Sequence, residues 1–248
     1  MPDRIPVCFD VLGTCFSFDA AKDALLTVFP DLDERRAASI IDDFFHAGQR
    51  DFTYLSMNGN YTPIGQVLQA TLPRIYLMHG LVPASSASAI GPDLLEPVLS
   101  TLPKMRPRPG LVECSDVLQT SDKFRLMAAT NGALATTKQL FENALGNDAA
   151  GKWEYFSCDQ DKVAKPAPTV YRDVWKQLGV ERDADKKGWF VASHTWDLFA
   201  AKKAGFRTAF VTYEEFLTLP ELFGEPDIVA QDLEDAAKQI LAKEGTQV

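Results

Sequence analysis

Apolar and polar positions follow two different rhythms along this chain. A short apolar run, Ile5-Pro6-Val7-Cys8-Phe9, predicts a strand that stops at Asp10, and Leu12-Gly13-Thr14 predicts a turn after it. From about Phe18 to Leu102 the pattern is helical, with almost no strand signal. Ala37, Ile41, Phe44, Gly48, Phe52 and Leu55 recur every three or four residues and predict one face of a long helix. Thr62-Pro63 predicts an N-cap followed by a first-turn proline. Ile64, Val67, Leu68, Thr71 and Ile75 then continue the period as far as Gly80. The stretch 83–92, rich in Ser, Ala and Gly, reads as a connector, and Leu94, Leu95, Val98, Leu99 and Leu102 form a last amphipathic stripe.

The rhythm changes near Pro103. Pro107-Arg108-Pro109-Gly110 is turn chemistry. Beyond it, short apolar runs alternate with amphipathic stretches. Strands are predicted at 124–129, 154–158, 189–192, 208–211 and 228–229, and helices at 134–145, 168–178, 197–204 and 233–241. Alternating strand and helix implies parallel βαβ units with right-handed crossovers. The reading is therefore an α/β core, residues 1–17 and 103–248, interrupted after its first strand by a helical block, residues 18–102.

Composition narrows the class. The 248 residues are 46% hydrophobic and 24% charged, which is ordinary globular usage and excludes a disordered chain or a coiled-coil rod. The formal net charge is −9 with no basic block, so nucleic acid is not an expected partner. No stretch approaches the ~20 apolar residues of a membrane span. Cys8, Cys15, Cys114 and Cys158 show no CxxC spacing and are too sparse for a disulfide scaffold. An intracellular, reducing, cytoplasmic setting is the expectation.

In open parallel sheets, ligands bind at the carboxyl ends of the strands. Four such ends carry polar residues here: Asp10 and Thr14, then Thr130-Asn131-Gly132, then Lys165-Pro166, then Ser193, His194 and Asp197. Each has a bland reading alone. Asp10 reads as a turn cap, Thr130 as a helix cap, Lys165 as a surface lysine and Asp197 as a first-turn acid. Their succession at four strand ends favours one shared site.

These residues resemble the four motifs of the haloacid dehalogenase superfamily: Asp10-Val11-Leu12-Gly13-Thr14, Thr130-Asn131-Gly132, Lys165-Pro166 and Asp197. The resemblance spans the chain, and the helical block resembles that family's cap domain. Within the superfamily the chain looks most like the type II branch of (S)-2-haloacid dehalogenases. Residues 165–171, Tyr171 included, resemble that branch's lysine motif. Residues 191–197 resemble its fourth motif, and residues 51–55 its cap helix. The implied fold is a doubly wound, Rossmann-like parallel sheet with an all-helical cap.

The resemblance also implies roles. Asp10 would be the nucleophile and form a covalent ester. Lys165 would hold it ionised. Thr14, Thr130 and Asn131 would hydrogen-bond the nucleophile and a substrate carboxylate, aided by the backbone N–H groups after Thr130. Asp197 would pair with Lys165 and help position the hydrolytic water. Tyr171, Ser193, His194 and Leu12 would line the substrate pocket, although Tyr171 reads equally as a core tyrosine.

Two positions separate this chain from the superfamily's phosphatases. Those enzymes carry a second aspartate, a proton donor, where this chain has Leu12, and a magnesium-binding acid where it has Ala192. A leucine donates no proton, whereas a halide needs none to leave. Displacement at carbon without a cofactor is thus the primary expectation, with a small carboxylic acid as substrate. A homodimer is the assembly the branch implies.

Two positions separate it from the type II enzymes, and the lesser is His194, where that branch's fourth motif often has asparagine and many relatives carry histidine. Their halide-receiving arginine aligns with His46, and neutral histidine is a weaker anion site. His46 also reads as a solvated helix position beside Asp42, Asp43 and Arg50. Hydrolytic opening of a carboxylated epoxide is therefore the alternative, with the histidine pair His46 and His194 flanking the pocket and donating the proton. A non-catalytic small-acid binder and a residual phosphatase are the remaining ones.

Overall fold

The computed structural model describes residues 4–180 and 187–245. It divides into two compact units, one formed by Met1–Phe16 with Pro107–Val248 and the other by Ser17–Arg106.

The first unit is built on six parallel strands: β1 (Ile5–Phe9), β4 (Phe124–Thr130), β5 (Trp153–Ser157), β6 (Trp189–Ala192), β7 (Arg207–Val211) and β8 (Ile228–Ala230). Their order across the sheet is β5-β4-β1-β6-β7-β8, and every neighbouring pair is parallel. Numbered among themselves, the strands run 3-2-1-4-5-6, the doubly wound order. The chain builds outwards from β1 on one side, then returns to β6 and builds outwards on the other. That reversal opens the sheet's crevice between the carboxyl ends of β1 and β6.

The strands read as continuous apolar runs because helices cover both faces. In β1, Val7, Cys8 and Phe9 are all fully buried. Phe9 meets Trp153 at 5.1 Å between ring centroids, and Trp153 meets Phe141 of helix α6 (Leu134–Leu145) at 4.8 Å. Phe190 stands beside Cys8, one step out of phase with Phe9, so it points to the opposite face. There it meets Tyr171 of helix α9 (Pro168–Gln177) and Phe206, which stacks on Trp175 at 3.9 Å. Each such fully buried aromatic contributes roughly 1.5–3 kcal/mol through burial. Helices α5 (Leu111–Thr120) and α12 (Leu233–Lys243) pack on each other, and α10 (Thr195–Lys203) follows β6. Short helices α7 (Asn147–Ala150), α8 (Cys158–Asp161) and α11 (Pro220–Phe223) fill the connections.

The second unit is helical: α1 (Asp19–Val28), α2 (Glu34–Met57), α3 (Ile64–Met78) and α4 (Pro92–Leu99). Asp33 caps α2, accepting from Arg36 N at 2.9 Å. The side of α2 that carries Ala37, Ile41, Phe44, Gly48 and Phe52 is buried, and α3 packs against it. Gly48 makes this approach close, since a side-chain carbon there would collide with Leu68. Two-residue strands β2 (Phe16–Ser17) and β3 (Arg106–Pro107) form a separate small sheet.

Several local expectations change. Pro63 occupies the N-cap position of α3, not its first turn, and the Thr62 hydroxyl donates to the Asn60 carbonyl at 3.4 Å instead of capping. The connector after Pro83 contains a 3-10 helix over Ala84–Ala89. Helix α5 has no counterpart among the predicted elements; Leu111, Cys114, Ser115 and Leu118 form its buried stripe. Helix α10 begins two residues before Asp197 because Glu215 satisfies its first turn from outside, accepting from Thr195 N at 2.8 Å and Thr195 Oγ1 at 2.7 Å. Among the described residues, no helix is long and apolar enough to cross a membrane.

Candidate active site

The carboxyl ends of β1, β4 and β6 and the loop after β5 bring a buried polar cluster together inside the first unit. Asp10 follows β1 directly, and its backbone N–H donates to Val191 O of β6 at 2.9 Å. The chain then turns sharply. Gly13 takes a φ of +85°, and Thr14 Oγ1 folds back to donate to Asp10 Oδ2 at 2.8 Å. Cys15 Sγ donates to Asp10 O at 3.1 Å, which ties the turn to the strand end. Ser193 N donates to Thr14 Oγ1 at 2.9 Å, and the two hydroxyls lie 3.0 Å apart.

Lys165 enters from the loop after β5. Its Nζ donates to Asp10 Oδ1 and to Asp197 Oδ2, each at 2.7 Å. Asp197, in the first turn of α10, also accepts a short hydrogen bond from the Tyr171 hydroxyl through Oδ1. Lys165, Tyr171 and Asp197 are fully buried, and Asp10 is 5% exposed. His194 is buried too, with Nδ1 3.4 Å from Asp10 Oδ2.

The β4 end makes its own local contacts. Thr130 Oγ1 accepts from Gly132 N at 2.8 Å, and Asn131 Oδ1 accepts from Lys165 N at 3.0 Å. Both side chains thus shape the loops, and the second fixes the backbone of the lysine. Ser157, absent from the predicted site, holds the same turn by donating to Gly132 O at 2.7 Å. Leu12 is half-buried beside the turn.

The electrostatics follow from these contacts. Burial pushes the Asp10 carboxyl up, but the Lys165 ammonium and the neighbouring His194 outweigh it and hold Asp10 well below the usual carboxylate range. For Asp197, burial and the charge of Asp10 prevail over Lys165 and Tyr171, so its pKa is raised. Burial opposes the Lys165 ammonium, yet two carboxylates against it raise its pKa, so it stays protonated. Burial and Asp197 push the Tyr171 phenol well up, so it remains a donor. The result is an ionised carboxylate, Asp10, held in place by a hydroxyl and a lysine.

A divalent cation does not fit this donor set. The Lys165 ammonium lies against one Asp10 oxygen, Ala192 brings no side-chain oxygen, and the Ser193 hydroxyl is engaged with Thr14. Among the described residues, no group of three or more His, Cys, Asp and Glu is placed to hold a metal ion.

A family model described as haloacid dehalogenase-like hydrolase matches residues 7–205. The chain belongs to the haloacid dehalogenase-like hydrolases. A search of curated protein sequences gives no match. Among solved structures, the chain is similar to an L-2-haloacid dehalogenase from Xanthobacter autotrophicus with chloropropionic acid covalently bound. The TM-score is 0.74 at 22% identity, over 96% of this chain and 98% of that one. It is similar to a defluorinating L-2-haloacid dehalogenase, with a TM-score of 0.70 at 21% identity over 95% and 94% of the two chains. It is also similar to a magnesium-bound putative HAD-hydrolase from Bacillus subtilis, with a TM-score of 0.68 at 16% identity over 98% and 99%. At these identities the likeness establishes the haloacid dehalogenase-like fold.

The remaining candidate, His46, lies in the helical unit. It is exposed on α2, where Asp42, Asp43 and Arg50 are exposed as well. Its ring lies 6.0 Å from that of Phe45. Asp51 of the same helix is engaged within the unit by Arg50 and Arg74. Two further residues of the first unit had no signal in the sequence. Arg108 donates to Gly13 O at 3.1 Å and pairs with Glu214, which buttresses the turn after Asp10.

Proposed function

We propose that this hydrolase displaces a leaving group at carbon through Asp10, in the manner of a metal-independent type II (S)-2-haloacid dehalogenase that yields a 2-hydroxy acid. The observation that carries this reading is the pairing of an ionised, immobilised Asp10 with Leu12 two residues on. A carboxylate oriented by Lys165 and Thr14 is a preorganised nucleophile. Leu12 offers no proton to an oxygen leaving group, and a halide requires none.

Asp10 attacks the substrate carbon, the carbon–halogen bond breaks with its electron pair leaving on the halide, and an ester links Asp10 to the substrate. Water then attacks the ester, the hydroxy acid departs and Asp10 is restored. Lys165 steadies the carboxylate throughout, and Asp197 with Tyr171 fixes the lysine.

The experiment is halide release from each enantiomer of 2-bromopropanoate, with and without EDTA, beside Asp10→Ala. The expected result is release selective for the (S) enantiomer, insensitive to EDTA and lost in the variant. Turnover that survives Asp10→Ala, or that requires magnesium, overturns the reading. The same assay run on a carboxylated epoxide addresses the alternative. That alternative is favoured by the one histidine beside the nucleophile, His194, at 3.4 Å.

A further inference from the structure

We infer that Phe216 is a specificity-determining residue, an apolar wall that favours substrates with a hydrocarbon chain beyond the reacting carbon. The inference rests on the proposed displacement by Asp10 and names a substrate class for it, 2-haloalkanoates longer than propanoate.

Phe216 is out of place on two counts. Of the 16 phenylalanines it alone is exposed, at 71%. A ring left in water gains nothing from apolar burial. Its backbone is unfavourable as well. Its φ is +54°, in the left-handed region that disfavours any residue with a β-carbon. The Leu217 N–H donates to Glu215 O across it, which closes a three-residue turn centred on Phe216. Glycine or asparagine would hold such a turn with less strain. Strain of this kind persists where neighbouring contacts impose it, and it concentrates at ligand clamps.

The two residues before Phe216 impose it here. Glu214 pairs with Arg108, whose Nε donates to Gly13 O, and a side-chain carbon added at Gly13 would lie 3.4 Å from Glu214 Cγ. Glu215 accepts from Thr195 N and Oγ1, at the head of the helix that carries Asp197. The segment after β7 is thus tied to the turn after Asp10 and to the first turn of α10, both of which border the crevice. Two residues of chain span at most ~7 Å, so Phe216 stands at the rim of that crevice, within the first unit. Leu217 follows it and is 75% exposed.

The segment therefore reverses the usual division of labour. Its two acids hold the scaffold, and its apolar side chains meet solvent. Ligand sites commonly combine apolar walls with a few polar groups that fix orientation. The polar groups here are buried with Asp10, and the apolar ones stand at the rim. A molecule that suits both has a polar reacting end and a hydrocarbon tail.

The test measures kcat/KM for (S)-2-bromopropanoate, (S)-2-bromobutanoate, (S)-2-bromohexanoate and (S)-2-bromooctanoate. The proteins are wild type, Phe216→Tyr and Phe216→Asn. Wild type is expected to gain ~2–4-fold per added methylene, through a falling KM, up to the limit of full burial. The slope along the series is the readout, not the rate on any one acid. Phe216→Tyr keeps the ring and should keep the slope. Phe216→Asn suits the left-handed turn, so its thermal midpoint should hold or rise while the slope flattens. A flat wild-type series overturns the inference, as does an unchanged slope in Phe216→Asn. A change of oligomeric mass in Phe216→Asn with the slope intact also overturns it, and gives this face to a second copy of the chain. A wild-type protein that releases no bromide from any of the acids overturns the reading of Asp10, and the inference with it. A flat series with bromide released leaves that reading standing, which tells the two failures apart.

Discussion

Lys165 Nζ stands midway between two carboxylates, 2.7 Å from Asp10 Oδ1 and 2.7 Å from Asp197 Oδ2, and all three side chains are buried. The lysine is therefore the compensating charge for both acids. Lys165→Met keeps much of the side-chain volume and removes that charge. Breaking a buried pair typically costs about 3–5 kcal/mol, because the partner charge is left uncompensated. We expect a loss of that order at neutral pH, together with loss of turnover. Urea unfolding read as a function of pH checks the cause. The deficit should shrink towards acid pH, as the two carboxylates protonate and stop repelling each other.

The opposite shifts of the two acids predict opposite pH signatures. Asp10 is held below its ordinary value of 3.8, so its contribution to stability is present above that pH and is lost as pH falls through its folded value. Asp197 is raised above 3.8, so its contribution is present below that pH and is lost as pH rises through its folded value. Measured against wild type, Asp10→Asn should be most costly at neutral pH and approach parity in strong acid. Asp197→Asn should show the reverse trend, most costly in acid and less so towards neutrality. Parallel stability curves for the two variants would contradict the assignment.

Gly13 links the backbone turn to the imidazole. Its φ of +85° disfavours any side chain, and an added carbon would lie 3.0 Å from His194 Cε1. Gly13→Ala should cost about 1–3 kcal/mol through backbone strain. It should also lower turnover by crowding the His194 ring that stands beside Asp10. A fall in thermal midpoint accompanied by a fall in turnover is the expected pair of results. A fall in midpoint with an unchanged rate would separate the turn from the histidine.

The strand ends were readable from sequence because parallel strands are continuous apolar runs, and the first polar residue after each run marks the crevice. Asp10, Thr130, Ser193 and His194 stand out in this way, and the run Leu134–Leu145 is a helix over the residues its pattern predicts. Elements and contacts that depend on loops were less legible. Helix α5 opens at Gly110, a left-handed residue with φ +78°, and the turn chemistry of 107–110 masks the stripe after it. The hydroxyl of Thr130 and the amide oxygen of Asn131 turn to Gly132 N and Lys165 N, because each bond depends on a loop returning in three dimensions. Glu214 and Glu215 lie in an irregular segment with no periodicity, so their partners Arg108 and Thr195 left no mark in the pattern.

Glu215 offers the last test, since it acts on the site through a helix end. Its carboxylate accepts from both the backbone N–H and the hydroxyl of Thr195, at the start of the helix that carries Asp197 two residues later. A carboxylate there also faces the positive end of the helix dipole. Glu215→Ala removes the cap and should cost about 1 kcal/mol, the typical worth of such a residue. Because Asp197 anchors Lys165, fraying of this turn should loosen the lysine's hold on Asp10. Turnover should therefore fall with little change in folding. Glu215→Gln keeps an oxygen acceptor in the same place and should recover most of both. Chemical unfolding and steady-state rates on the two variants decide the matter. Equal defects in Ala and Gln would place the effect in the charge instead of the cap.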